Sequence, residues 1–157
     1  MLERYKTRSG EETENLGISL AKRLLPGDVL LLFGDLAAGK TTLTRGIAKG
    51  LGVVDAVSSP TFTIMQQYAA KPGGLALNHF DAYRLHNEYD WYAEGFDEFI
   101  YGDAVSVIEW PENVLSALPE NAIKVQLTFA GQGSVRHINV CFPAGRKEHS
   151  SGDVIDQ

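Results

Sequence analysis

Residues 34–41 read Gly34-Asp35-Leu36-Ala37-Ala38-Gly39-Lys40-Thr41, the G-x-x-x-x-G-K-T spacing of a loop that cradles phosphate. Glycines at both ends let the backbone turn its N–H groups inward toward an anion. Lys40 reaches the outer phosphates of a nucleoside triphosphate, and the Thr41 hydroxyl is a ligand for magnesium. Thr42 carries the chain into a helix whose N-terminal dipole favours negative charge. Such a loop needs a carboxylate at a strand end to hold the metal, directly or through water. Two residues qualify. Asp81 follows Leu75–Phe80 in His79-Phe80-Asp81-Ala82-Tyr83-Arg84-Leu85, and Glu109 follows Ala104–Ile108 in Ile108-Glu109-Trp110-Pro111-Glu112. One could hold magnesium while the other orients water, and spacing does not say which does which.

Other residues admit a chemical and a plain structural reading. Ser59-Pro60-Thr61 lies where nucleotide hydrolases place a switch that senses the γ-phosphate, but it would equally serve as the start of a strand. Trp110, beside Glu109 and before a helix-breaking proline, is either a core aromatic or a ring stacked at the nucleotide. Arg84 could neutralise phosphate charge, although pairing with a surface acid is the commoner case. His79 has no second metal-type ligand at suitable spacing and is expected to pack or hydrogen-bond locally.

The elements that must position these groups are legible in outline. Asp28–Phe33 is a short apolar run bounded by Pro26-Gly27, which predicts a buried strand entering the loop. Leu43, Ile47 and Leu51 fall at helical spacing after it, stopping at Gly52. Ser9 and Glu12 stand at capping-box spacing, predicting a helix with Leu16, Leu20 and Leu24 inward. Residues 61–68 and 75–80 flank Lys71-Pro72-Gly73-Gly74 and predict an antiparallel hairpin, and residues 87–100 one or two short helices. A closing hairpin is expected over residues 122–129 and 134–142. The pattern predicts an α/β fold, P-loop NTPase-like and three-layered, with a mixed central sheet.

Bulk properties narrow the function classes. The 157 residues suffice for one core: residues 1–145 are expected to form a single P-loop domain, with residues 146–157 a polar, disordered tail. A net charge of −6 argues against a large surface gripping nucleic acid phosphates. The longest apolar run, Val29–Phe33, is far too short to span a bilayer, and no secretory signal pattern opens the chain, so a cytoplasmic protein without membrane contact is expected. Cys141 is the only cysteine; a disulfide within the chain is impossible and a buried core position is expected.

Taken together, the loop from Gly34 to Thr42, Ser59-Pro60-Thr61-Phe62, the segment His79–Leu85, and Ile108-Glu109-Trp110-Pro111-Glu112 resemble the TsaE (YjeE) family, whose Gly-x-Asp-Glu-aromatic stretch is matched by Gly95–Phe99. The resemblance implies a small, weak magnesium-dependent ATPase required to make threonylcarbamoyladenosine in tRNA. It implies partners in a threonylcarbamoyl transferase and its paralogous scaffold, a heterodimer through which tRNA is reached only indirectly. By resemblance, Thr41 and Glu109 hold magnesium, Asp81 serves hydrolysis, Ser59–Thr61 is the switch and Trp110 lies by ATP. Further ATP contacts would fall near Ser9–Thr13, Glu112 and Gln132. One departure is Ala37, where the family usually has glycine; alanine there is strained only if its φ is positive, by about 1 kcal/mol or more.

Three other activities share the loop. A small-molecule or nucleoside kinase usually has an arginine-bearing lid, and the seven arginines here are scattered. A GTPase would carry an Asn-Lys-x-Asp guanine motif, which this sequence lacks. A binding module that does not hydrolyse would leave ATP intact.

Overall fold

Pro26-Gly27 and Gly34 confine the apolar run between them to a strand, and the rest of the fold is arranged around it. The computed structural model describes residues 1–60, 64–131 and 133–146. In chain order the elements are β1 (Leu2–Thr7), α1 (Gly10–Ala21), β2 (Val29–Phe33), α2 (Lys40–Leu51), β3 (Met65–Tyr68), β4 (Leu77–Asp81), α3 (Glu88–Ala93), α4 (Asp97–Ile100), β5 (Val105–Glu109), a 3-10 segment (Pro111–Ala117), β6 (Ile123–Phe129) and β7 (Arg136–Cys141). The strands form one sheet in the order β1-β7-β6-β2-β5-β4-β3. Strand β2 runs parallel to both β5 and β6, β4 is parallel to β5, and the two hairpins are antiparallel. The expected mixed α/β sheet is present.

Alternation along β2 divides the interior. Leu30 and Leu32 face one core with α1 and α2, where Leu20, Leu43 and Ile47 pack. Val29 and Leu31 face the other, built on Phe80, Trp91, Phe96 and Ile108 beneath α3, α4 and the 3-10 segment. The second layer covers β2, β5 and β4 and reaches Met65 of β3. Over β6, β7 and β1 the sheet is open: Leu2, Lys124, Gln126, His137 and Cys141 are exposed there. This overturns the expected burial of Cys141, because Ile138 and Val140 take the inward positions of β7 and leave Cys141 on the uncovered face.

Ser9 caps α1, its hydroxyl accepting from the Glu12 N–H at 3.1 Å, as the sequence predicts. Gly52, in the left-handed region, ends α2. Two elements depart from expectation. Pro111 does not break helical structure but opens the 3-10 segment, where a missing N–H costs nothing. Strand β1 was not foreseen: its hydrophobic alternation is weak, and it is added to the sheet edge by pairing with β7. Arg146 is not loose tail; it forms a two-pronged ion pair with Asp28 at 2.6 and 2.5 Å. The remaining expected tail, residues 147–157, lies outside the described residues, as do Thr61, Phe62 and Thr63 of the expected strand and switch, and Gln132.

Among the described residues no helix is long and apolar enough to cross a membrane.

Candidate phosphate-binding site

In an open parallel sheet the carboxyl ends of the strands form the ligand crevice, and here β2, β4 and β5 end at one edge. Register places Glu109 between Leu32 and Asp81 on neighbouring strands. The loop leaving β2 therefore faces both acids across a cavity of about 370 Å³ lined by Gly39, Lys40, Thr41, Ser59, Asp81 and Trp110, among others.

The loop's shape follows from its glycines. A methyl on Gly34 would come 2.8 Å from the Leu127 carbonyl oxygen, and Gly39 has φ +104. Gly39 precedes α2 without a side-chain cap, so the first N–H groups of that helix are left for a ligand. Ala37 has φ 63, the strained alternative foreseen for alanine at this position. Ala38 is buried, Leu36 is 80% exposed at the cavity rim, and Leu36, Ala37 and Thr42 line it.

Lys40 is buried and donates to the Gly34 carbonyl at 2.7 Å, while its ammonium sits 3.5 Å from the centre of the Trp110 ring. Burial pushes its pKa down, against the opposing pull of Glu109, Glu112, Asp81 and Asp35. Thus Glu112 and Asp35, though outside the cavity wall, contribute field at the lysine. Trp110 is held with φ 55 and meets Tyr83 edge-on at 5.1 Å. Asp81 accepts the Tyr83 N–H at 3.0 Å; burial, with the nearby Glu109 charge, raises its pKa above the ordinary carboxylate value. Glu109 is almost fully buried, 2.5 Å from His79 Nε2. Thr41 Oγ1 lies 3.4 Å from Ser59 Oγ, linking the loop to the segment expected to act as a switch. The start of α1 also borders the loop, since a methyl on Gly10 would meet Thr42 Cγ2 at 3.9 Å. Arg84 is exposed, away from the cavity lining.

Two contributions escape sequence reading. Arg136 donates to the Ala38 and Ala37 carbonyls at 3.1 and 3.3 Å while lying over the Phe129 ring, so the last hairpin clamps the loop. Its partners are 98 and 99 residues away, and no local pattern marks it. His79 was expected only to pack or bond locally; its partner is 30 residues distant.

Comparison with known proteins bears on the family and the fold. A family model described as "Threonylcarbamoyl adenosine biosynthesis protein TsaE" matches residues 7–138. The tRNA threonylcarbamoyladenosine biosynthesis protein TsaE of Bacillus subtilis is 41% identical over 128 residues, covering 82% of this chain and 78% of that protein. The protein of the same name from Treponema pallidum is 41% identical over 137 residues, covering 87% and 98%. The crystal structure of Bacillus subtilis YdiB superposes with a TM-score of 0.78 at 35% identity, over 93% of this chain and 88% of that one.

Proposed function

This chain belongs to the TsaE family, and from that membership and the geometry of the loop we propose that it is a magnesium-dependent ATPase, slow alone, that supports threonylcarbamoyladenosine modification of tRNA. The observation that carries the reading is the convergence of Gly39, Lys40, Thr41, Asp81 and Glu109 on one cavity. The donor set suits magnesium. No cluster of three or more His, Cys, Asp or Glu forms a closed metal cage among the described residues, and magnesium is commonly held by one or two carboxylates together with phosphate oxygens and water. When bound, magnesium and ATP would supply the Lewis acid and the phosphoanhydride to be cleaved.

Each residue then has a task. The uncapped N–H groups at the start of α2 bind phosphate oxygens, and Lys40, already fixed by the Gly34 carbonyl, offsets charge developing on them. Thr41 and Glu109 would hold magnesium. Asp81, with Oδ1 engaged by Tyr83 N–H, keeps Oδ2 for water, and its raised pKa makes it a better proton acceptor than an ordinary aspartate. Trp110 borders the nucleotide, with Glu112 adding charge beside Lys40. Access to tRNA runs through the transferase and its paralogous scaffold, because a chain of net charge −6 has little electrostatic hold on RNA.

Phosphate release from labelled ATP tests this reading in the wild type and in Lys40→Ala, Asp81→Ala and Glu109→Ala. We expect slow, magnesium-dependent release, lost or strongly reduced in each variant while circular dichroism stays native. Phosphate appearing on an added small-molecule acceptor would replace the ATPase with a kinase, and unchanged turnover in Lys40→Ala would remove the loop assignment.

A further inference from the structure

Glu109 ends β5 with its carboxylate already held. Its Oε2 lies 2.5 Å from Nε2 of His79, and both side chains are buried. An ionised carboxylate only accepts, so the hydrogen resides on Nε2, which donates. The histidine's other nitrogen, Nδ1, is buried without a hydrogen-bond partner, leaving the Glu109 contact as the ring's polar anchor among the described residues. That arrangement is poor design for packing alone. The same face of the sheet is filled by Leu77, Val105 and Val107, and an apolar side chain at position 79 would leave no buried nitrogen unpaired. Placement explains the choice better. His79 stands two residues before Asp81 on β4, so both point to the same face, and Asp81 is the register partner of Glu109. The imidazole thus reaches Glu109 from beneath, on the side away from the mouth of the cavity.

We propose that His79 is a positioning residue: by binding Oε2 of Glu109 it leaves Oε1 as the oxygen offered to magnesium and fixes the direction from which it is offered. This rests on the ATPase reading above. A buried carboxylate that could rotate would have to be ordered each time the metal arrived; one tethered by an imidazole is ordered beforehand. Hydrogen-bond partners of metal-binding groups typically change metal affinity 10- to 100-fold when removed.

The test compares wild type, His79→Leu and His79→Gln. Magnesium is titrated against each protein with a non-hydrolysable ATP analogue, followed calorimetrically, and the analogue's affinity is measured separately in chelator. We expect His79→Leu to weaken apparent magnesium affinity about tenfold or more with magnesium-free nucleotide affinity unchanged. His79→Gln, whose amide can place an N–H near the lost Nε2, should recover most of it. Overlaying titrations for wild type and His79→Leu would overturn the proposal, as would a folded His79→Gln variant as weak as His79→Leu. Nitrogen-15 NMR of unaltered protein gives a readout independent of any variant: the proton should be found on Nε2 of His79, and finding it on Nδ1 alone would overturn the assignment. Failure of the wild type to bind magnesium with the analogue would defeat the ATPase reading and this proposal together. Wild-type binding with an indifferent His79→Leu defeats this proposal alone.

Discussion

Ala37 and Trp110 are the two non-glycine residues with positive φ among those described, and both border the candidate cavity between the loop and the two acids. For an alanine in this region the methyl crowds the following carbonyl at a cost of about 1–2 kcal/mol. Glycine removes that crowding but loses about 0.5–1 kcal/mol through its greater unfolded freedom. Ala37→Gly should therefore stabilise the protein by up to about 1 kcal/mol, seen as a modest rise in melting temperature, with nucleotide affinity kept or improved. A lower melting temperature would mean that the loop relaxes around alanine. Trp110 carries a second expectation. Its ring covers the Lys40 ammonium, which is the group expected to meet phosphate, so ATP should alter the indole's surroundings and its emission. Trp91 is buried in the second core, and a Trp91→Phe background isolates the signal once its melting curve confirms a folded protein. An emission unmoved by saturating ATP would place nucleotide elsewhere.

Helices α1 and α2 meet through glycine, and the closeness of that contact decides how the loop is backed. A methyl on Gly46 would fall 2.0 Å from the Glu14 carbonyl oxygen, and one on Gly17 2.5 Å from that of Leu43. Alanine is favoured over glycine inside a helix by about 1 kcal/mol, yet overpacking a fitted contact costs about 1–3 kcal/mol or more. The clash is with backbone, which cannot rotate away, so packing wins. Gly46→Ala should lower stability by about 2 kcal/mol in denaturant unfolding; a neutral result would show that the helices can separate. Strand β1 is tied to the same layer by Glu3, whose carboxylate is gripped by Arg23 at 2.7 and 2.8 Å and held at a pKa of about 2 by that hydrogen-bonded pairing. A depressed folded pKa means stability present above the unfolded value of 4.5 and lost as pH falls toward 2. Glu3→Gln should melt below wild type at pH 7, and the difference should shrink at pH 3. A gap independent of pH would assign the effect to packing.

For the whole molecule, the sheet is packed on both faces where the site is built. The strands that end at the cavity, β2, β4 and β5, lie between both cores, whereas β6, β7 and β1 present one open face. A doubly packed sheet holds the loop and acids rigidly, and rigidity favours catalysis only once water, metal and nucleotide are aligned. The Ser59-Pro60 segment, linked to the loop by the long Thr41–Ser59 contact, is the element that partner binding could order. ATP-bound protein should therefore co-elute with the transferase–scaffold heterodimer in size-exclusion chromatography, and the complex should change the rate of phosphate release. Absence of co-elution with ATP or ADP, and turnover indifferent to the heterodimer, would leave an ATPase acting alone.

The strand–loop–helix unit around Gly34–Thr41, the Ser9 cap, the Gly52 stop, the β3–β4 hairpin and the strand-end positions of Asp81 and Glu109 were legible in the chain because each depends on residues close in sequence. Glycines permit particular turns, a hydroxyl caps the N–H three residues on, and alternation fixes which side chains enter a core. Tertiary structure decided the rest. Whether Cys141 is covered depends on how far the second layer extends, and β1 is a strand because β7 offers it an edge. Arg136 reaches the loop, and His79 holds Glu109, only because strands distant in sequence are brought into register. Side-chain period says which face a residue occupies. It does not say what the neighbouring strand places opposite, and at this site that neighbour sets the direction of a carboxylate.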